Sequence, residues 1–211
     1  MKKDIAIKMA TFPMPVLMVA AYDKKGKVDV MTAAWGMMCS TDKIALCIDE
    51  SHKTTKNIRV SKAFTVSVAN KEHMAEADFF GIVSGNKMKD KFERSGFHAV
   101  KSQHVNAPII EEFPIVMECE LVEIVETENL HAVVGKIINA QADENVLDRK
   151  GNVSPYKVKA MIFEQSQNNY YSVGRKIGKA WHEGAVINFD ANEMDDDLNS
   201  YVQKQIVEEK I

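Results

Sequence analysis

The stretch that decides the fold class runs from Ile115 to Ala140 and reads IVMECELVEIVETENLHAVVGKIINA. From Ile115 to Val125 the residue character alternates at every second position, which is the spacing of a strand with one face toward a core. His131 to Ala140 repeats this β-rich character after the polar dipeptide Glu128-Asn129, where a chain readily turns. The sequence therefore predicts a long antiparallel hairpin in this half of the chain.

Further strands are predicted before this hairpin. Val16 to Ala21 has the composition of a buried strand, Asp23 to Gly26 that of its turn, and Val28 to Ala34 that of the returning strand. Lys43 to Asp49 and Ala63 to Ala69 carry the same pattern. Because turns rather than long helical crossovers join most of these strands, the sequence predicts a mainly β, antiparallel barrel with peripheral helices.

Short helices and one more strand complete the predicted elements. The helices are predicted at Thr54–Val60, Lys71–Gly81, Lys87–Arg94 and Val173–Trp181, and the strand at Val158–Phe163. Met194 and Ile206 belong to an apolar stripe with helical spacing near the end of the chain. We therefore divide the chain into a barrel domain at residues 1–184 and a C-terminal extension with an amphipathic helix at residues 185–211.

Composition and charge argue against several classes of protein. The 30 acidic and 27 basic residues are interspersed, so no broad basic face is expected for nucleic acid. The longest apolar run, Val16 to Ala21, is far shorter than the roughly 20 residues of a membrane-spanning helix. Three widely spaced cysteines fit neither a disulfide framework nor a thiolate metal site. We expect a cytoplasmic protein without a nucleic-acid or membrane partner.

Common catalytic and metal-binding motifs are missing from the sequence. The six histidines have no ligand spacing such as H-E-x-x-H, which predicts that no metal is bound. There is no G-x-S-x-G elbow, no phosphate-binding P-loop and no G-x-G-x-x-G fingerprint. We assign no catalytic residue to the chain, and hydrolase or nucleotide-fold interpretations lose their usual support.

The first candidate site segment is Val28–Trp35, VDVMTAAW. Its small side chains would let the backbone approach a flat ring, whose polar edge needs the donors and acceptors that backbone groups and Thr32 supply. Trp35 would lie beside such a ring. The alternative is the ordinary end of a core strand.

The second candidate segment is Ser51–Thr55, SHKTT, at the predicted start of a helix. Hydroxyl groups, a cation and free backbone N–H groups converge there, which is the chemistry of a phosphate site. The alternative is simple N-capping, in which Ser51 or Thr54 satisfies the same N–H groups without a ligand.

The third candidate segment is Ser84–Phe92, SGNKMKDKF, in which a glycine-bearing turn precedes Lys87, Lys89 and Lys91. One lysine folded inward would add a second positive charge to the same phosphate. The alternative is a solvated helix face. The spacing alone does not choose among the three lysines.

In their order along the chain, these segments resemble the flavin reductase-like family of FMN-binding proteins. The shared features are the P-x-P-V strand, the V-M-T-A-A-W segment, the S-x-K-T-T helix start, and S-G followed by D-K-F. The resemblance runs from about Thr11 to Gly184. The stretch from Val173 to Ala180 resembles the flavoredoxin group of the family in particular.

The resemblance implies an antiparallel split barrel of Greek-key type, a bound FMN and a homodimer. The residues it implies for FMN binding are Thr32, Ala33, Ala34, Trp35, Ser51, His52, Lys53, Thr54, Thr55 and Lys91. Asp29 stands where many relatives have Asn, and we leave it out because a carboxylate would repel the reduced, anionic flavin. The G-D-H motif of NADH-using relatives is reduced here to His131.

Three functions follow from this interpretation. The first is a redox protein that passes electrons through FMN between a donor and an acceptor protein, because the flavin itself carries the electrons. The second is an NAD(P)H-dependent flavin reductase that uses the same site. The third is a non-catalytic barrel that binds another ligand or only a protein partner.

Overall fold

A computed structural model of the chain describes residues 1–180 and 183–186. The chain separates into two compact units, Met1–Val173 and a second that begins at Gly174. None of the described helices is long and apolar enough to cross a membrane. The predicted C-terminal helix with Met194 and Ile206 lies outside the described residues.

The first unit is built mainly of strands, numbered here in chain order. They are β1 Met14–Pro15, β2 Leu17–Tyr22, β3 Val28–Ala33, β4 Gly36–Ser40, β5 Lys43–Leu46, β6 Ala63–Val68, β7 Ala99–Lys101, β8 Pro108–Ile110, β9 Ile115–Thr127, β10 Leu130–Ala142, β11 Met161–Glu164 and β12 Asn169–Ser172. Seven of them form one sheet in the order β3-β2-β6-β9-β10-β5-β4. Every pairing in this sheet is antiparallel.

The hairpin of β9 and β10 confirms the prediction made from residues 115–140. Its register shifts between Val134 and Gly135 and again between Ile137 and Asn139. Such bulges bend a strand and increase its twist, which a curved sheet needs. Gly135 also makes room for a core side chain, because a Cβ there would lie 2.3 Å from Cζ of Phe64.

The two edges of the seven-stranded sheet meet. β3 and β4 lie at opposite edges, yet Ala34 and Trp35 alone separate them in the chain. The Cα atoms at the two ends of this link are at most about 11 Å apart, so the sheet must curl into a barrel. At Gly36 an added Cβ would lie 2.7 Å from Leu17 of β2 and 2.6 Å from Leu46 of β5. We call the Ala34–Trp35 link the seam.

The first unit, all of which is described, contains four α-helices: α1 Lys53–Ser61, α2 Met74–Ile82, α3 Lys91–Arg94 and α4 Pro155–Val158. α1 and α2 confirm the predicted helices, while α3 covers only the second half of Lys87–Arg94. The helix predicted from Val173 is wrong over residues 173–180, which have no helical turn. Two glycines in that short stretch lower its helix propensity, which explains the difference.

Apolar side chains form a core on each face of the sheet. Inside the barrel, Leu46, Phe64 and Val133 are fully buried. Outside it, Met18 of β2 and Phe80 of α2 belong to a second buried cluster. The sheet is therefore covered on both faces where α2 packs, and the end of α2 is held close to the seam.

Candidate functional site

A cleft of about 530 Å³ opens beside the seam. Its size falls within the roughly 300–1,000 Å³ of typical small-molecule sites. In the first half of the chain, its lining comes from the end of β3, the seam, the loop after β5 and the start of α1. Further along, it comes from the end of α2 and the loop after it, from Lys91, and from the β11–β12 hairpin. The three segments singled out in the sequence thus meet around one cavity.

One wall of the cleft is the strand edge from Met31 to the seam. β3 is an edge strand, so the backbone groups of its outer side have no partner strand in the seven-stranded sheet. The hydroxyl of Thr32 donates to the carbonyl of Ala77 in α2, so it already has a protein partner although Thr32 lines the cavity. The indole of Trp35 is 57% exposed and lies at the rim. This wall presents polar backbone groups beside a flat aromatic surface.

A second wall is the N-terminus of α1, which begins at Lys53. His52 occupies the N-cap position without a side-chain hydrogen bond to the helix, and the first turn contains no acidic residue. Thr54, one of the two residues proposed for simple capping, donates its hydroxyl to Asp29 at 2.6 Å instead, and the next residue, Thr55, donates to the carbonyl of Asp49 at 2.8 Å. The positive end of the helix dipole therefore faces the cleft without a capping side chain, as anion sites at helix N-termini do.

Two lysines bring positive charge to this end of the cleft. Lys91 is only 5% exposed, and its Nζ donates to the carbonyl of Phe80 at 2.8 Å. Burial lowers the pKa of Lys91, and the nearby Asp29 carboxylate opposes that shift. Lys53 is half-buried, with its Nζ 3.7 Å from an oxygen of Asp23. Lys87 and Lys89 are exposed and do not line the cleft. Of the three candidate lysines, Lys91 is therefore the one at the cleft.

Asp29 lies behind this positively charged wall, and the sequence interpretation left it out. Its carboxylate is buried and accepts hydrogen bonds from Thr54 at 2.6 Å and from the amide of Asn57 at 3.5 Å. A Cβ on Gly85 would lie 2.3 Å from its Oδ1, so the loop after α2 packs directly against it. Burial raises the pKa of Asp29, although the Thr54 hydrogen bond and the charges of Lys91 and Lys53 oppose this shift.

Eight of the ten predicted site residues line the cleft: Thr32, Ala33, Ala34, Trp35, His52, Lys53, Thr54 and Lys91. Ser51 is exposed and outside the lining, and its carbonyl accepts from the amide of Asn86 at 2.9 Å. Thr55 is buried beneath the first turn of α1. The sequence interpretation missed the lining residues of the last turn of α2 and of the β11–β12 hairpin, among them Phe80, Phe163 and Asn168.

The chain belongs to the flavin reductase-like family. The family model "Flavin reductase like domain" matches residues 9–167, which include every residue of the cleft except Asn168. The fold and the sequence thus agree with the resemblance seen in the motifs. A protein of Aeropyrum pernix is 29% identical over 150 residues, which cover 70% of this chain and 56% of that protein.

Two flavoredoxins have the same fold as this chain. Flavoredoxin of Desulfovibrio vulgaris (Miyazaki F) is 32% identical, with a TM-score of 0.82 over 87% of this chain and 100% of that chain. Flavoredoxin from Methanosarcina acetivorans is 26% identical, with a TM-score of 0.80 over 89% of this chain and 100% of that chain. The predicted fold class, a mainly β antiparallel split barrel with peripheral helices, is confirmed.

Proposed function

We propose that this protein binds FMN in the cleft beside the seam and passes electrons through it, as a flavoredoxin-like redox protein. The observation that carries the proposal is the composition of the cleft. A strand edge with Trp35 lies on one side, and an uncapped helix N-terminus with Lys53 and Lys91 lies on another. The likeness to two flavoredoxins supports the same conclusion.

The residues present suit the two ends of FMN. The N–H groups of the first turn of α1, together with Lys53 and Lys91, would hold the phosphate through charge-assisted hydrogen bonds. The backbone from Thr32 to Ala34 would meet the polar edge of the flavin ring, and Trp35 would lie beside it. FMN supplies the electron or hydride transfer itself, so the work of this chain is to bind and orient the ring and to admit partners.

The absorbance spectrum of the purified protein tests the proposal. We expect a yellow protein with flavin absorbance bands, or a colourless one that gains them when FMN is added. Fast reduction by a small iron–sulfur protein, alongside slow oxidation of NADH and NADPH, is expected for an electron carrier. Rapid oxidation of NADH or NADPH would instead identify a flavin reductase. A protein that takes up no FMN would contradict both the electron-carrier and the reductase functions. It would favour the third function, a barrel that binds another ligand or a protein partner.

We also propose that the protein is a homodimer that closes the open side of the cleft. β4 is an edge strand next to the seam, and it presents apolar side chains to solvent, with Met37 70% exposed. Trp35, at the cleft rim, and Met38 extend this surface. A second copy of the chain is the usual means of covering such an edge, because symmetric pairs bury the same patch on both subunits.

Light scattering tests the dimer. At micromolar protein we expect twice the chain mass of 23.7 kDa. Met37→Lys should shift the mass toward the monomer, because it places a charge in the apolar patch. Met74→Lys is the matched control, since Met74 is another exposed methionine but lies on α2. A parent that scatters as a monomer, or a Met74→Lys effect equal to that of Met37→Lys, would contradict the proposed interface.

A further inference from the structure

We propose that Asp29 is a positioning residue for the phosphate end of the cleft, and that phosphate binding there is coupled to uptake of a proton by its carboxylate. The inference rests on the proposed function, because the phosphate is that of FMN. It goes beyond that function by assigning a role to a buried carboxylate that does not line the cleft.

Thr54 has a single hydroxyl proton, and it donates this proton in a hydrogen bond to the carboxylate of Asp29. The hydroxyl donates to Oδ2 of Asp29 at 2.6 Å, although Thr54 itself lines the cleft. While this bond lasts, the Thr54 oxygen can only accept from the cleft, whereas an ionised phosphate offers only acceptors. A protonated Asp29 would instead donate to the Thr54 oxygen. The hydroxyl proton of Thr54 would then be free to bond the phosphate, and the added proton on Asp29 would come from solvent.

The charges that face Asp29 also favour protonation of its carboxylate when a phosphate binds. They come from Lys91 of α3, Lys53 of α1 and Asp23 of the turn between β2 and β3, while Asn57 contributes a neutral amide. Without a ligand, Asp29 balances the buried ammonium of Lys91. A phosphate would take over that balance and leave the Asp29 carboxylate as a second anion in the same buried region. Two neighbouring anions raise the tendency of one of them to bind a proton.

The surroundings of Asp29 in the free protein already favour its protonated form more than water does. Burial raises its pKa above the ordinary aspartate value, against the opposing effects of Thr54, Lys91 and Lys53. The close approach of Gly85 keeps the carboxylate fixed against the loop after α2. A neighbouring phosphate raises this pKa further, so its binding favours the protonated form of Asp29.

Calorimetric titration with FMN at neutral pH, in two buffers of different ionisation enthalpy, measures the protons taken up. We expect the parent to take up more protons per FMN than Asp29→Asn. Phosphorus NMR of bound FMN reports the ionisation of the phosphate, whose pKa is about 6 when free, and should give the same result in both proteins if the extra proton is on Asp29. Asp90→Asn is the matched control: it removes one exposed carboxylate, bonded to Arg94 at 2.8 Å, from the segment before Lys91. It should behave as the parent.

Flavin fluorescence titration as a function of pH gives a second measurement. We expect Asp29→Asn to bind FMN roughly tenfold more tightly than the parent near neutral pH, the effect of about one pKa unit of linked proton binding. Riboflavin, which lacks the phosphate, should bind both proteins alike. In the parent, the ratio of FMN to riboflavin affinity should fall as the pH rises above about 7, where the FMN phosphate is already dianionic, a result that needs no variant to fold.

The outcomes separate the two proposals. If the parent binds neither FMN nor riboflavin, the proposed function is wrong and the role of Asp29 is wrong with it. If the parent binds FMN with the same proton uptake as Asp29→Asn, or if Asp29→Asn binds FMN no more tightly, the function stands and the proton coupling is overturned. A riboflavin affinity that changes as much as the FMN affinity would also overturn it, because the effect would not depend on the phosphate.

Discussion

Replacing Lys91 by alanine is expected to weaken FMN binding by roughly ten- to a hundredfold, and Lys53→Ala should do the same. Both lysines lie beside the uncapped start of α1, where the phosphate would sit. Each charge-assisted hydrogen bond contributes about 1.5–3 kcal/mol, and about 1.4 kcal/mol corresponds to tenfold in affinity. Titration of flavin fluorescence measures the change, and added salt should weaken the phosphate-dependent part of the affinity.

Riboflavin and two other lysines provide the controls. Riboflavin should bind the parent, Lys53→Ala and Lys91→Ala nearly equally, which also shows that the variants are folded. Lys87→Ala and Lys89→Ala remove exposed cations outside the cleft and should change FMN affinity little. If FMN binds Lys53→Ala and Lys91→Ala as tightly as it binds the parent, the phosphate is not held at the start of α1.

The second large effect is expected at Glu118, a carboxylate of β9 with no exposed surface. It accepts hydrogen bonds from the amides of Asn139 and Gln141, each at 2.6 Å, and from the hydroxyl of Ser102. Glu118→Ala leaves the buried hydroxyl of Ser102 and the half-buried amide of Asn139 without this acceptor, so we expect the free energy of unfolding to fall by about 2–3 kcal/mol. Urea denaturation followed by circular dichroism measures this loss.

Glu120→Ala is the matched control, because Glu120 lies two residues further along β9 and is exposed. Its effect on unfolding should stay within about 0.5 kcal/mol. A loss at Glu118 no larger than at Glu120 would contradict the role of the buried carboxylate. FMN affinity should be unchanged in both variants, because neither side chain lines the cleft.

The contribution of Glu118 also has a defined pH dependence. Burial raises its pKa, but the hydrogen bonds from Ser102, Asn139 and Gln141 outweigh burial and hold that pKa below its usual value of 4.5. A group whose pKa is lower in the folded than in the unfolded chain stabilises the fold above its unfolded pKa. The stabilisation by Glu118 is therefore complete above about pH 4.5 and is lost as the pH falls through its folded pKa. Glu118→Gln should lose this pH dependence.

The sequence predicted the barrel strands well because their patterns are local. Alternation and turn residues locate β2, β3, β6 and the β9–β10 hairpin within a few residues. β4 was missed because Gly36–Ser40 lacks both alternation and β-branched residues, although it forms a tight hairpin with β5. Glu118 illustrates the same limit. Alternation identifies its strand, but it does not reveal that the loop at Ser102 covers that face.

The candidate site was predicted in part for a similar reason. Thr32 to Trp35 and His52 to Thr54 form short segments whose chemistry is visible in the sequence. Phe163 and Asn168 reach the cleft from a hairpin more than 70 residues after Lys91, and no local pattern signals that approach. Asp29 was excluded from the predicted site because its charge would repel a reduced flavin ring. Its contacts are instead with Thr54 and Asn57 of α1, at the proposed phosphate end of the cleft.

The seam has a consequence for how the chain folds. The seam joins two hairpins, β2–β3 and β4–β5. The inner strand of each hairpin pairs with a strand far along the chain, β2 with β6 and β5 with β10. Such nonlocal pairings make folding slow, because loop-closure entropy is lost before the contacts form. We expect the seam, Ala34–Trp35, to become ordered only after these nonlocal pairs have formed. We expect the mouth of the cleft to be among the last parts of the barrel to form, and FMN bound there to slow unfolding of the whole unit.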